Sequence, residues 1–440
     1  MKIEEKIGVQ IPEVLLPVEG IDLTKWAVIA CDQFTSQPRY WQMVADLVGD
    51  SPSTYHMILP EAFLESGDEA ERILKTQAAM RQYLAKGIFR SLRGLIYVKR
   101  IINGKTRCGL MIALDLEAYD FNKGSQALIR ASEGTILERI PPRIRIRKDA
   151  PLELPHILVL YDDPKDTVLA PVIKNQADLE VVYDFDLMQN SGHLTGRLVS
   201  DPAIITKVFQ ALGNLADPHE FAQKYHLARG RQPLLFAMGD GNHSLATAKS
   251  IWEEIKPQVG MQHPARYALV EIVNLHNPAL EFEPIHRLVF NISADIKNEV
   301  ETYFDNRIII RPVDNLNQLM DIVNSQYGLH HHFGLLSAQG FFHIEIIRPD
   351  CNLPVGSLQT FLNDYLITHP TTKIDYVHGT DILAELSTKS GNAGFYLPAM
   401  HKEELFKTVI LDGALPRKTF SMGEAKDKRF YMECRWIKEN

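Results

Sequence analysis

The sequence predicts an α/β or α+β protein built on a mixed sheet with helices. Three observations carry that expectation. Short apolar runs such as GLIYVKRII alternate with segments whose apolar residues recur at helical spacing. Asn103-Gly104 separates GLIYVKRII from KTRCGLMIALDL, and Asn-Gly is the favoured pair for a two-residue hairpin turn. No segment repeats at a fixed period, which sets solenoids and propellers aside.

In chain order, WAVIACDQF begins as a buried strand, and Gln37 to Val48 and Asp68 to Leu84 follow as helices. After the hairpin, HILVLYDD and VVYDFDLMQ read as strands and ITKVFQALGNL as a helix. PLLFAM is a strand that runs into GDGNHS. The helix SLATAKSIWEEIK then sets Leu245, Ala248, Ile251, Trp252 and Ile255 on one face. HRLVF and FFHIEIIR are further strands, and LQTFLNDYL and KEELFKTVIL are helices. Punctuation near Asn291 to Ile296 divides the chain into an α/β region, 1–295, and an α+β region, 296–440.

At 440 residues the chain exceeds one hydrophobic core, so two or three domains are expected. A balance of 45% hydrophobic and 23% charged residues is that of a soluble globular protein. The net charge of -8 argues against nucleic acid as a partner, because affinity for the phosphate backbone rests on clustered Lys and Arg. Cys31, Cys108, Cys351 and Cys434 are far apart and form no CxxC pair, which suits a reducing, cytoplasmic location. No apolar run approaches the ~20 residues of a membrane helix, so no membrane partner is expected.

GDGNHS is the densest chemical stretch. Gly239 and Gly241 admit positive φ and let a ligand approach the main chain. Asn242 or Ser244 stands where it can cap the helix that follows. A glycine loop opening a helix presents N–H groups and the positive dipole end, so phosphate or carboxylate is its natural guest. Asp240 and Asn242 are also common turn formers, with His243 then a supporting residue.

Three other stretches are comparably dense. RASEGTILERIPPRIRIRK holds Arg130, Glu133, Thr135 and Arg139, while its Arg143, Arg145 and Arg147 read as outward residues of a solvated basic strand. VNLHNPALEFEPIHRLVF brings His276, Glu283, His286 and Arg287 around two prolines. A His at a strand start is more often buried than catalytic. PRKTFSMGEAKDKRFYMECRW places Lys418, Thr419 and Ser421 before Gly423 and Lys428, Arg429 and Arg435 after it. Both a charged tail and an oxyanion site remain open there. His330 to His332 fall outside these stretches and read as structural or exposed.

The order of RASEGTILER, DGNHSLATA, FEPIHRL and LPRKTFSM resembles the domain of unknown function 1015 family, from about Val28 to about Met422. Its members typically carry HE-x-T and an arginine, DGHHRYETA, PTHR and PxKST. The resemblance implies that Glu133, Thr135, Arg139, Asp240, Gly241, His243, His286, Arg287, Lys418 and Thr419 occupy family motif positions. Ser132, Asn242, Ser244 and Ile285 depart from the family pattern, as in a divergent branch. The DGxH loop is also similar to that of the ParB and sulfiredoxin-like superfamily, which includes free serine kinases. That likeness implies a unit of that kind, with a loop that cradles nucleotide phosphates. Where Ser244 replaces the superfamily arginine, Arg139, Arg287 or Lys418 would have to supply the charge.

Two functional expectations follow. The first is a phosphoryl-handling enzyme acting on a small metabolite such as serine. His243 or His286 would be the acid or base, Asp240 and Glu133 would hold magnesium, and the nucleotide would be ATP or ADP. Gly239, Gly241, Asn242, Ser244, Arg139, Arg287, Lys418 and Thr419 would line the ligand. The second is a non-catalytic sensor of a phosphorylated metabolite using the same residues. A metal-dependent hydrolase of His243, His276 and His286 lacks HExxH or comparable spacing.

Overall fold

A computed structural model describes residues 2–64, 66–134, 140–228, 230–325 and 328–438. The chain forms two compact units, Met1–Leu280 with Gly423–Asn440, and Glu281–Met422. This division differs from a break between 295 and 296. The strand His286–Phe290 pairs within the second unit, with Lys373–Val377 and Ala393–Tyr396. The chain end returns to the first unit, Phe430–Tyr431 pairing with Val28–Ile29 and Arg435–Trp436 with Leu152–Glu153. Pairing between such distant segments leaves no local punctuation to read.

The first unit is built on a mixed sheet. Its strands run in the order Glu180–Asp186, His193–Val199, Leu95–Ile102, Lys105–Asp115, Tyr267–Asn274, Leu158–Tyr161, Phe236–Asp240, Ile129–Arg130 and Tyr119–Asp120. Val9–Gln10 adds to Lys105–Asp115. Most pairs are antiparallel, but Leu158–Tyr161 runs parallel to Tyr267–Asn274, and Ile129–Arg130 runs parallel to both Phe236–Asp240 and Tyr119–Asp120. The hairpin turn is as expected, with Asn103 at φ 50 and Gly104 at φ 74, the left-handed pair of a type I′ turn.

Both sheet faces are covered, which explains why several strands read as continuous apolar runs. Leu95 and Tyr97 pack into one core, with the helices Pro202–Leu215 and Asn242–Val259. Their neighbours Ile96 and Val98 pack into the other, with Pro38–Val48 and Glu69–Ala85. Alternation along one strand thus feeds two hydrophobic layers.

RIRIR does not form a strand. Ile140–Lys148 is a helix, in which Arg143 pairs with Glu61, Arg145 with Glu69 and Arg147 with Glu153. Gln77 Nε2 also donates to the carbonyl of Ile146 at 3.2 Å. Partners from distant segments override the two-residue charge alternation.

The second unit contains a wholly antiparallel sheet. Its order is Ile308–Val313, Gly340–Ile346, His331–Ser337, Ala393–Tyr396, His286–Phe290 and Lys373–Val377. Leu288 and Leu336 meet Leu319, Val323 and Leu383 from the helices Leu316–Ser325 and Thr380–Ser387. Among the described residues no helix is long and apolar enough to cross a membrane.

Candidate functional site

The apolar residues of PLLFAM fix the loop that follows them. Phe236, Ala237 and Met238 are fully buried, and partial exposure begins at Gly239. Gly241, at φ 80 and ψ 25, turns the chain from strand into helix. A Cβ there would stand 3.1 Å from Ile157 Cγ1, so conformation and packing both call for glycine.

The helix Asn242–Val259 begins without a side-chain cap. That corrects the expectation of an Asn242 or Ser244 cap. Asn242 is already helical, and its Nδ2 donates to Ser132 Oγ at 3.4 Å. Ser244 Oγ lies 3.2 Å from His156 Nε2. Both side chains turn towards neighbouring segments, and the capping residue, Gly241, has no side chain to offer the N–H groups of the first turn, which opens from a partly exposed loop. An anion satisfies such groups and meets the positive dipole end.

Ser132 of SEGT stands beside DGNHS. Phe236 and Ala237 register against Ile129 and Arg130, and Ser132 reaches Asn242. Glu133, part-buried, follows directly. Arg130 is buried and donates to the carbonyls of Ala127 at 2.7 Å and Gln232 at 3.0 Å, which gives it a structural role. Thr135 and Arg139 lie outside the described residues.

Residues from elsewhere complete the surroundings. Lys428 Nζ stands 3.3 Å from Asp240 Oδ2, whose partner oxygen Oδ1 accepts the Gly241 N–H at 3.0 Å. His156 Nδ1 meets the Tyr431 hydroxyl at 2.8 Å, and its Nε2 stands 3.8 Å from Asp32 Oδ2. Burial pushes the Asp32 carboxyl up, yet His156, a hydrogen bond from Gln33, Lys428 and Arg143 together hold it below its usual range. With its side chain 26% exposed, Asp32 is an accessible, ionised carboxylate.

Sequence reasoning misses Asp32, His156 and Tyr431, and treats Lys428 only as part of a cationic tail. Asp32 does leave a signal, an acid at the end of the apolar run WAVIAC. His156 leaves none, since only sheet formation brings it to Ser244.

Four other expected residues, His286, Arg287, Lys418 and Thr419, belong to the second unit. His286 is 1% exposed, and its Nδ1 accepts the Leu397 N–H at 3.1 Å. Burial, Arg287 and His378 push its pKa down to about 4. A general acid or base must reach substrate, and an enclosed imidazole bonded to the backbone lacks that access. Arg287 is 0% exposed and donates to Gln359 Oε1 and to the carbonyls of Ile285, Lys418 and Arg417 at 2.7 to 3.0 Å. Its guanidinium therefore clamps the segment around Lys418 instead of presenting a bare charge. Thr419 Oγ1 donates to the Pro416 carbonyl at 2.6 Å and closes the same turn. Lys418 is exposed, with φ 56. His276, named for a hydrolase, belongs to the first unit and lies 2.7 Å from Asp162 Oδ1.

The family model DUF1015, a protein of unknown function, matches residues 15–365. The chain belongs to the DUF1015 family. The matched stretch of this DUF1015 chain includes SEGT, DGNHS and the His286–Arg287 pair, while KTFSM lies beyond it. No curated protein matches the chain. Among solved structures it is similar to a conserved hypothetical protein from Pyrococcus furiosus, at 10% identity and TM-score 0.37, over 77% of this chain and 98% of that one. A free serine kinase mutant in complex with AMP matches at 10% identity and TM-score 0.39, over 77% and 94% of the two chains. SbnI from Staphylococcus aureus, truncated at its C-terminus, matches at 7% identity and TM-score 0.27, over 62% and 82%.

Proposed function

We propose that the first unit binds a phosphate-bearing small molecule at the start of the Asn242–Val259 helix and transfers a phosphoryl group from it to a small acceptor. The observation that carries this reading is the helix start itself. It has a left-handed glycine, no side-chain cap and partial exposure, with a lysine ion-paired to the adjoining aspartate. Gly239, Gly241 and Asn242 would form the cradle. Lys428 would supply the charge that Ser244 cannot.

Nucleotide, as ATP or ADP, is the donor of this proposal, and a hydroxyl metabolite such as serine the acceptor. The acceptor oxygen bonds to phosphorus and its proton passes to Asp32. The nucleotide leaves with the bridging oxygen, one phosphate shorter. Asp32 suits that role because its charge is held by surrounding cations and hydrogen bonds. His156 holds Ser244 and borders Asp32, so it positions the loop.

Magnesium requires only one or two protein carboxylates when substrate phosphates complete its shell, and Asp240 with Glu133 would provide them. The ion would offset phosphate charge. Asp240 Oδ2 would then exchange Lys428 for the metal, freeing the ammonium for a phosphate oxygen. A ParB/sulfiredoxin-like fold for this unit belongs to the same proposal, and the weak likeness to the kinase structures adds no weight to it.

Calorimetric titration with ATP, ADP and pyrophosphate in the presence of magnesium tests the binding, and mass spectrometry of phosphoserine tests the transfer. Binding of a nucleotide that Lys428→Met weakens at least tenfold supports the site. Binding without transfer to any hydroxyl acceptor would favour the sensor. Absence of binding by all three ligands would refute the phosphate reading.

A further inference from the structure

A histidine cluster in the second unit plays no part in that proposal. His330 precedes the strand His331–Ser337, and His332 registers against Glu345 on the neighbouring strand Gly340–Ile346. Alternation places 330 and 332 on one sheet face, and pairing adds 343 and 345 to it. Arg311, opposite His343 on Ile308–Val313, shares that face. His331 points the other way, with Nδ1 2.9 Å from Ser357 Oγ. The reading of the triplet as structural or exposed therefore holds for His331 but leaves its two neighbours to explain.

One ligand atom from each of His330, His332 and Glu345 lies within 4.8 Å of the others. His330 Nδ1 is 2.8 Å from Glu345 Oε1, and Arg311 donates to Glu345 Oε2 at 2.8 Å. His332 Nδ1 is 3.1 Å from His343 Nε2, the two rings stacked within 5° of parallel.

We propose that His330, His332 and Glu345 form a binding site for a divalent transition-metal ion of the zinc type. Two imidazoles and one carboxylate are a donor set such ions favour, and they leave a coordination position open. Magnesium and calcium, which prefer oxygen, would not be selected here.

The surroundings serve the ligands. His332, ligating through Nε2, would carry its proton on Nδ1 and donate it to His343. That contact fixes tautomer and ring orientation, as partners of metal-bound histidines commonly do. Arg311 holds one oxygen of Glu345 and leaves the other facing His330. Ligand atoms around one zinc stand about 3.4 Å apart, given bonds of about 2.1 Å. Closing the cluster to that spacing falls to His330, whose side chain is 42% exposed and can move. Binding then replaces the His330–Glu345 hydrogen bond by two bonds to the ion. The site lies in the second unit and stands whether or not the first unit binds phosphate.

The test is zinc titration of the full chain against a chromophoric chelator of micromolar affinity at pH 7.5. Wild-type protein should take up zinc from the chelator, and His330→Ala and Glu345→Gln should each weaken that uptake at least tenfold. His343→Phe, which removes only the orienting contact, should weaken it by roughly 10- to 100-fold if it stays folded. X-ray absorption of the zinc-loaded protein should show two imidazole ligands. His330 is exposed, so His330→Ala is the variant least able to disturb the fold, and circular dichroism checks it. Wild type that takes no zinc from the chelator would overturn the site, as would wild-type affinity in either His330→Ala or Glu345→Gln.

Discussion

Acid should loosen the second unit through His286, and its share can be isolated. The imidazole is enclosed, accepts the Leu397 N–H through Nδ1 and lies against Tyr396 at a ring distance of 4.8 Å. Its pKa falls from 6.5 to about 4, chiefly through burial and next through Arg287 and His378. A group whose folded pKa is depressed below its unfolded value binds more protons unfolded than folded between the two. Stability therefore rises with pH from about 4 to 6.5, and is lost as pH falls through that window. At about 1.4 kcal/mol per pK unit, the full contribution is about 3 kcal/mol, of which about 2 kcal/mol is lost by pH 5.

His286→Gln removes the titration while keeping an acceptor for the Leu397 N–H. It should cost roughly 1–3 kcal/mol at pH 7, where the shape of the ring is lost. That gap should narrow by about 2 kcal/mol at pH 5, because only the wild type loses stability through this residue. Trp26, Trp41, Trp252 and Trp436 all belong to the first unit, so tryptophan fluorescence does not report on the second. Amide hydrogen exchange of the segment 393–397, followed against urea at pH 7 and pH 5, reads the right place. A gap between wild type and variant that stays constant over this range would refute the depressed pKa and the structural role assigned to His286.

Other substitutions test other parts of the molecule. Asp32→Asn should lower phosphoryl transfer by roughly 10²- to 10⁴-fold with nucleotide affinity nearly unchanged, measured by turnover beside calorimetry; equal losses of both would remove Asp32 as the base. A methyl at Gly196 would collide with the ring of buried Tyr183, so Gly196→Ala should cost roughly 1–3 kcal/mol in urea unfolding followed by tryptophan fluorescence. Arg287→Met should destabilise the second unit by roughly 2–4 kcal/mol, because the carbonyls of Ile285, Arg417 and Lys418 lose a charged donor, and hydrogen exchange at 416–420 should speed up most.

Elements with strong local signals are legible in the sequence. The hairpin at Asn103-Gly104, the helices Pro38–Val48, Pro202–Leu215 and Pro354–Thr368 and the strand ending in GDGNHS all stand close to their expected places. Each depends on periodicity or turn chemistry within about twenty residues. Ile140–Lys148 is not legible, because two of its arginines are paired with carboxylates some eighty residues away, Glu61 and Glu69, and the third with Glu153 beyond the helix end. Return of the chain end to the first unit is invisible for the same reason. The loop with its glycines is readable; the partners that give it charge and support are not.

That contrast bears on how the phosphate site should be tested. The backbone cradle depends on Gly241, while the side chains around it come from Asp32, His156 and Lys428, in three segments separated by more than a hundred residues each. Cradle and charges are therefore separable by mutation. Gly241→Ala forces a left-handed conformation costing roughly 1–2 kcal/mol and sets a methyl against Ile157, so it should impair every anion equally, pyrophosphate included. Lys428→Met leaves the turn intact and removes one positive charge, so its penalty should grow with ligand charge, greater for ATP than for AMP, and shrink as salt is raised. Calorimetry of AMP, ADP and ATP against each variant, at low and high ionic strength, separates the two. A Lys428→Met penalty independent of ligand charge and of salt would mean that the lysine only braces Asp240, and the charge for phosphate would have to be sought elsewhere.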